Sequence, residues 1–166
     1  PAPGPGEVLV RIERGGIFAV AHVRGGGELG HGWHRGGFKA TKANTWRDAI
    51  AVGQWLVQSG WTTPSRLAIT GGSAGGIAAG NAIIDAPELF AAIVTQVGFH
   101  DTLRSEAGMV GPSNVAEFGS VTTPQGSRDL HAMSSYARLR DGVRYPAALL
   151  TTGFNAPGVD LIAMLR

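Results

Sequence analysis

Ser73 lies at the centre of a glycine-flanked run, Gly71-Gly72-Ser73-Ala74-Gly75-Gly76. Gly71, Ser73 and Gly75 fit the spacing Gly-x-Ser-x-Gly, which carries a serine nucleophile on a sharp strand-to-helix turn. A strained backbone pushes the hydroxyl clear of the sheet, and side chains two positions to either side would strike the neighbouring strand and helix. The amides at the start of the following helix, that of Ala74 first, aim at the place where an oxyanion would form. The run lacks the Gly-x-x-x-x-Gly-Lys-Ser/Thr and Gly-x-Gly-x-x-Gly spacings of phosphate-cradling loops. The chemistry it predicts is acyl transfer through Ser73.

A turn of this kind needs a strand before it and a helix after it. Arg66 to Thr70 supplies the apolar strand, and Ala74 to Ile84 supplies a helix rich in small residues. Three further apolar runs read as strands buried on both faces: Ile17–Val23, Ala91–Val97 and Tyr145–Thr152. Asn44 or Thr45 can cap a helix ending near Ser59, with Trp46, Ile50, Gly53 and Leu56 on one face. Residues 1–7 read as irregular, Val8–Arg14 as a helix turn and 98–140 as a long excursion with short helices. Val159–Arg166 reads as the start of another helix. Alternating strands and helices predict an α/β domain, with a mostly parallel sheet and helices on both faces. Ligands of such sheets sit at the carboxyl ends of the strands, where Ser73 falls.

Composition narrows the function. With 166 residues, 43% apolar and 16% charged, the chain is long enough for one domain with a core. Twenty-six glycines imply many close backbone approaches. There is no cysteine, hence no disulfide and no thiolate chemistry. A net charge of +2 without a run of Lys or Arg gives no argument for nucleic acid. No apolar stretch is long enough to cross a membrane as a helix. Five histidines without metal-ligand spacing suggest no metal, and no cofactor is implied. Pro1 and the residues after it show neither an initiator Met nor a signal sequence, so the numbering is expected to begin inside a longer protein. The sequence favours neither cytoplasm nor periplasm.

Several blocks together resemble the prolyl oligopeptidase family. Ala19-Val20-Ala21-His22-Val23-Arg24-Gly25-Gly26-Gly27-Glu28-Leu29-Gly30 and Trp33-His34-Arg35-Gly36-Gly37 are similar to its R-G-G-G-E-x-G…W-H-x-x-G block. Ile69 to Gly76 is similar to its G-G-S-x-G-G block. Pro87-Glu88-Leu89-Phe90, Gln96-Val97-Gly98, Asp101 and Tyr145 to Thr151 follow in the family's order. The resemblance implies an α/β-hydrolase domain that cuts peptide or ester bonds with a Ser–Asp–His triad through an acyl-enzyme. It assigns Ser73 as nucleophile and the Ala74 N–H as an oxyanion donor.

The sequence also departs from that family. Ala156 stands where the triad aspartate belongs, Gly158 where an arginine would grip substrate, and Asn114 near the place of a proline-stacking tryptophan. The triad histidine, the last strand and the N-terminal propeller have no counterpart in these residues. Asp160 is a candidate displaced acid, and His100, after the strand 91–97, a candidate base. His22, His31, His34 and His131 read as structural or solvated, and Asp101 and Glu28 as loop fasteners. Three functions follow: a reduced serine hydrolase acting on small esters or short peptides; an inactive binding or scaffold remnant; and a domain completed by a further segment or by a second copy, since an open sheet edge invites pairing.

Overall fold

The structure, a computed structural model, describes residues 8–13, 16–108 and 111–153. Two strands open it, β1 (Val8–Glu13) and β2 (Gly16–Ala21), followed by a short helix, α1 (His31–Arg35), and a long one, α2 (Ala43–Gln58). Then come β3 (Ala68–Gly72), α3 (Gly75–Asp85) and β4 (Ala92–Gln96). Three helices, α4 (Gly111–Phe118), α5 (Pro124–Met133) and α6 (Ser135–Arg138), precede β5 (Ala147–Thr151).

β3, β4 and β5 form a parallel sheet in that order, and Gly72, Gln96 and Thr151 sit side by side at its carboxyl edge. Parallel neighbours require a crossover, and α3 makes the one between β3 and β4. Its small residues let it bury almost completely: Gly76, Ile77, Ala79, Gly80, Asn81, Ala82, Ile83 and Ile84 are all buried. Gly80 is obligatory at one such approach, because a Cβ there would lie 2.7 Å from Ser135 Oγ. Ile77, Ile83 and Ile93 meet Trp46, Phe90, Phe99, Phe118, Leu130 and Met133 in one core. Each large side chain buried there contributes about 1.5–3 kcal/mol before chain entropy is counted. Polar atoms at the rim are paired. Trp46 Nε1 donates to Asp85 at 2.7 Å, and Arg138 reaches both Asp85 and Asn81 while its guanidinium lies over the Trp46 ring.

Four expectations change. Val8–Glu13 is a strand, not a helix turn; the period-two spacing of Val8, Val10 and Ile12 is the signal. It pairs antiparallel with β2, from Val8 opposite Ala21 to Glu13 opposite Gly16. β2 is therefore half of a hairpin, with Ile17 and Phe18 exposed, and is not a doubly buried member of the parallel sheet. β5 is likewise exposed along its whole length, because it is the last strand of three among the described residues. Asn44 and Thr45 do not cap α2, whose N-cap is Lys42. They fasten the glycine-rich loop instead: Asn44 Nδ2 donates to Gly36 O at 2.8 Å and Thr45 Oγ1 to Arg24 O at 2.7 Å. Residues 159–166, expected as a helix, lie outside the described residues.

Candidate active site

Between the end of β3 at Gly72 and the start of α3 at Gly75 the chain reverses in two residues. Ser73 makes that turn with φ +50°, in the left-handed region, and its side chain is exposed. A non-glycine residue there costs about 1–2 kcal/mol, so the surroundings must hold it. Three backbone hydrogen bonds do. The Ser73 N–H donates to Gln96 O at 3.1 Å, and the Ser73 carbonyl accepts from Gly76 N–H and from Phe99 N–H, each at 2.9 Å.

Glycine is forced on both sides, at the motif position Gly71 but at Gly76 in place of Gly75. A Cβ on Gly71 would lie 2.3 Å from Gly75 O, and one on Gly76 would lie 2.5 Å from Phe99 N and 2.7 Å from Gly98 Cα. These are backbone atoms of packed elements and have nowhere to move. A Cβ on Gly75 meets nothing within 4 Å. The crowding that sequence reasoning placed at Gly75 therefore falls on Gly76, where α3 crosses the turn after β4.

Ala74 follows as the N-cap of α3. Among the described residues its N–H donates to no acceptor, so it points from the positive end of a helix with a free proton. Exposed Ser73 and exposed Ala74, whose N–H has no acceptor among the described residues, thus stand next to one another at the start of α3.

His100 is not brought into this arrangement. Its ring bonds Thr95 Oγ1 through Nε2 and Ser135 Oγ through Nδ1, each at 3.0 Å. Among the described residues no hydrogen bond joins Ser73 to a histidine. The ring fills the space between Gly80 and Gly98, either of which would clash with it if it carried a Cβ. Burial holds the imidazole below its ordinary value, since the charged form is poorly solvated there. Asp160, with Ala156 and Gly158, lies outside the described residues.

The remaining candidates fasten loops. Asp101 is buried and accepts from the Arg104 backbone and guanidinium. Glu28 faces His22 at 3.6 Å. His31 accepts from Arg35. His34 bonds Glu117, which also takes Lys42 Nζ at 3.0 Å and so ties α4 to the loop before α2. Missing from the sequence reading is the clamp on the glycine-rich loop. Asp48 on α2 receives the Arg24 N–H and Nε on one oxygen and Nη2 on the other. Burial alone would raise the Asp48 carboxyl; the hydrogen bonds and charge of Arg24 outweigh it and hold it below its ordinary value. The Asp48 hydrogen bond in turn raises Arg24. Among the described residues no group of His, Asp and Glu could hold a metal ion, and no helix is long and apolar enough to cross a membrane.

A parallel sheet with a left-handed serine between strand and helix defines the class: this is an α/β-hydrolase fold. The comparisons give the family. The pattern of the prolyl oligopeptidase family matches residues 6–160, and the chain belongs to that family. It is 35% identical over 142 residues to a prolyl endopeptidase of Dictyostelium discoideum, which covers 83% of this chain and 18% of the relative. It is 37% identical over 154 residues to Protease 2 of Moraxella lacunata, covering 91% and 22%. Prolyl oligopeptidase B from Galerina marginata, in its apo structure, superimposes with a TM-score of 0.85 at 34% identity, over 90% of this chain and 22% of that one. The chain thus spans about a fifth of the length of these relatives.

Two outcomes follow from this geometry. Gly71→Ala lowers stability by about 1–3 kcal/mol, while Gly75→Ala stays within about 1 kcal/mol of the parent, as denaturant titration will measure. For His100 the unfolded chain takes up a proton near the ordinary value of 6.5 and the folded chain only at lower pH. Stability present above that value is therefore lost as pH falls below it. Melting temperatures between about pH 7.5 and 5 will decline, and the decline will be shallower in His100→Gln.

Proposed function

We propose that these residues carry the nucleophile of a serine hydrolase that opens small esters or short peptides through an acyl-enzyme on Ser73. The observation that supports it most is Ser73 itself: exposed, left-handed and adjacent to the free Ala74 N–H. In the first step Ser73 Oγ loses its proton and attacks the carbonyl carbon, and the negative charge on the carbonyl oxygen is stabilised by a hydrogen bond from the Ala74 N–H. The bond to the leaving group then breaks, and that group takes up the proton lost from the serine. Water then attacks the acyl carbon, releasing the acid and restoring the serine hydroxyl. The relatives are named prolyl endopeptidase and Protease 2, which favours peptide bonds as the substrate class. Ala156 stands where the resemblance would put the acid, so the proposal is of an incomplete triad, with Asp160 as its displaced acid. An oxyanion donor and binding alone still supply about 10³–10⁴-fold over water.

The experiment is hydrolysis of p-nitrophenyl acetate. Wild-type protein should release a burst of p-nitrophenol equal to the serine concentration, and Ser73→Ala should release none. Equal traces from the two proteins overturn the proposal.

The open strands favour a second reading, in which the sheet is completed by a second copy. Among the described residues β2 pairs only with β1, and β3 only with β4. Both border a cleft of about 750 Å³ floored by Ala49, Gly53 and Ala78. On the far side β5 exposes Leu149 and Leu150. Sedimentation should then give a dimer at micromolar concentration; a monomer throughout the range rejects completion by a second copy.

A further inference from the structure

We propose that the backbone N–H of Phe99 is a positioning group for the oxyanion donor, acting through the peptide plane that joins Ser73 to Ala74. The inference rests on the reading of Ser73 as a nucleophile and adds to it the device that aims the catalytic N–H.

The argument starts at the ends of two neighbouring strands. Gly72 and Gln96 are partners in the β3–β4 ladder, so Ser73 and Val97 occupy equivalent positions one step beyond it. Both are left-handed, Ser73 with φ +50° and Val97 with φ +46°. For a β-branched residue that conformation is a true outlier. A strand can end without such a turn, so the strain at Val97 implies that something is gained by it. Val97 is held on one side, where its N–H donates to Thr151 O at 2.7 Å, and the turn then carries the chain back over the end of β3. Gly98 can follow only without a side chain, since a Cβ would lie 3.0 Å from Thr95 and closer still to the His100 ring. The next N–H, that of Phe99, arrives on the Ser73 carbonyl at 2.9 Å. The Phe99 ring anchors the turn, buried against Phe118 with centroids 5.4 Å apart.

The Ser73 carbonyl and the Ala74 N–H belong to one planar peptide unit. Fixing the carbonyl therefore fixes the direction of the N–H. The Gly76 N–H already holds this carbonyl from within the helix turn, and the Phe99 N–H holds it from a different element. With both in place the peptide cannot rotate, so its N–H is aimed before charge develops. Hydrogen bonds accepted by a carbonyl also polarise the N–H across the same peptide. Phe99 touches neither substrate nor the reacting oxygen; its effect reaches them through Ala74.

The test is phosphonylation of Ser73 by a fluorophosphonate, in which the serine oxygen displaces fluoride and the oxyanion donor stabilises the charge on the phosphonyl oxygen. The maximal rate constant and the half-saturating concentration are measured separately, on proteins shown to be folded by circular dichroism. Phe99→Pro removes the N–H, and should lower the rate constant at least fivefold with half-saturation unchanged. Phe99→Leu keeps the N–H and should react at least fivefold faster than Phe99→Pro. If Phe99→Pro does not fold, replacing the amide of residue 99 by an ester, which removes only that N–H, should give the same loss. A folded Phe99→Pro or ester protein that loses less than fivefold, or whose loss lies in half-saturation, overturns the positioning role alone. A wild-type protein that does not react overturns that role and the nucleophile reading together.

Discussion

Three backbone segments meet within van der Waals distance around one peptide bond: the end of β3, the first turn of α3 and the turn that leaves β4. Gly71 against Gly75, and Gly76 against Gly98 and Phe99, leave no room for a single carbon atom. That crowding holds Ser73 in a conformation it would otherwise leave, since two of its three backbone hydrogen bonds, to Gln96 and from Phe99, reach across the close approach. The core serves the same end. Ile77 and Ile93, on α3 and β4, are almost wholly buried, and their packing fixes the distance between helix and sheet from which the elbow is built.

The second constraint is electrostatic and lies behind the first. The glycine-rich loop after β2 has few side chains with which to hold its shape, and α2 supplies what it lacks. Asp48 takes three donors from Arg24, while Asn44 and Thr45 bind loop carbonyls. On its other flank Glu117 joins His34 and Lys42. A bidentate carboxylate–guanidinium pair that is half-buried gives directional hold more than net stability, which suits a loop with so few side chains of its own.

Much of this was legible in the sequence where the signal is local. The β3–α3 turn reads directly from Gly71 to Gly76, and β4 from an apolar run between Phe90 and Gly98. α2 reads from its periodic face, to within one residue at its end and two or three at its start. What failed did so for identifiable reasons. An apolar run such as Ile17–Val23 states that a strand will form but not how many of its faces are covered. A capping-type residue such as Asn44 or Thr45 looks the same whether it binds its own helix or a distant loop. Arg24 and Asp48 are 24 positions apart, and nothing in either neighbourhood announces the other. The Phe99–Ser73 bond is between main-chain atoms, so side-chain identity carries no trace of it; only the glycines at 76 and 98 hint at the approach.

The exposed strand β5 has a consequence for the handling of the protein. Ala147-Ala148-Leu149-Leu150-Thr151 carries no charge, no proline and two large aliphatic side chains open to water. Its outer row of amides and carbonyls is unpaired among the described residues. Such a segment is a template for adventitious cross-β growth, in which like strands stack edge to edge. Arg144 and Pro146, immediately before it, act as gatekeepers on one flank. Growth of this kind joins one chain to another, so it steepens with concentration.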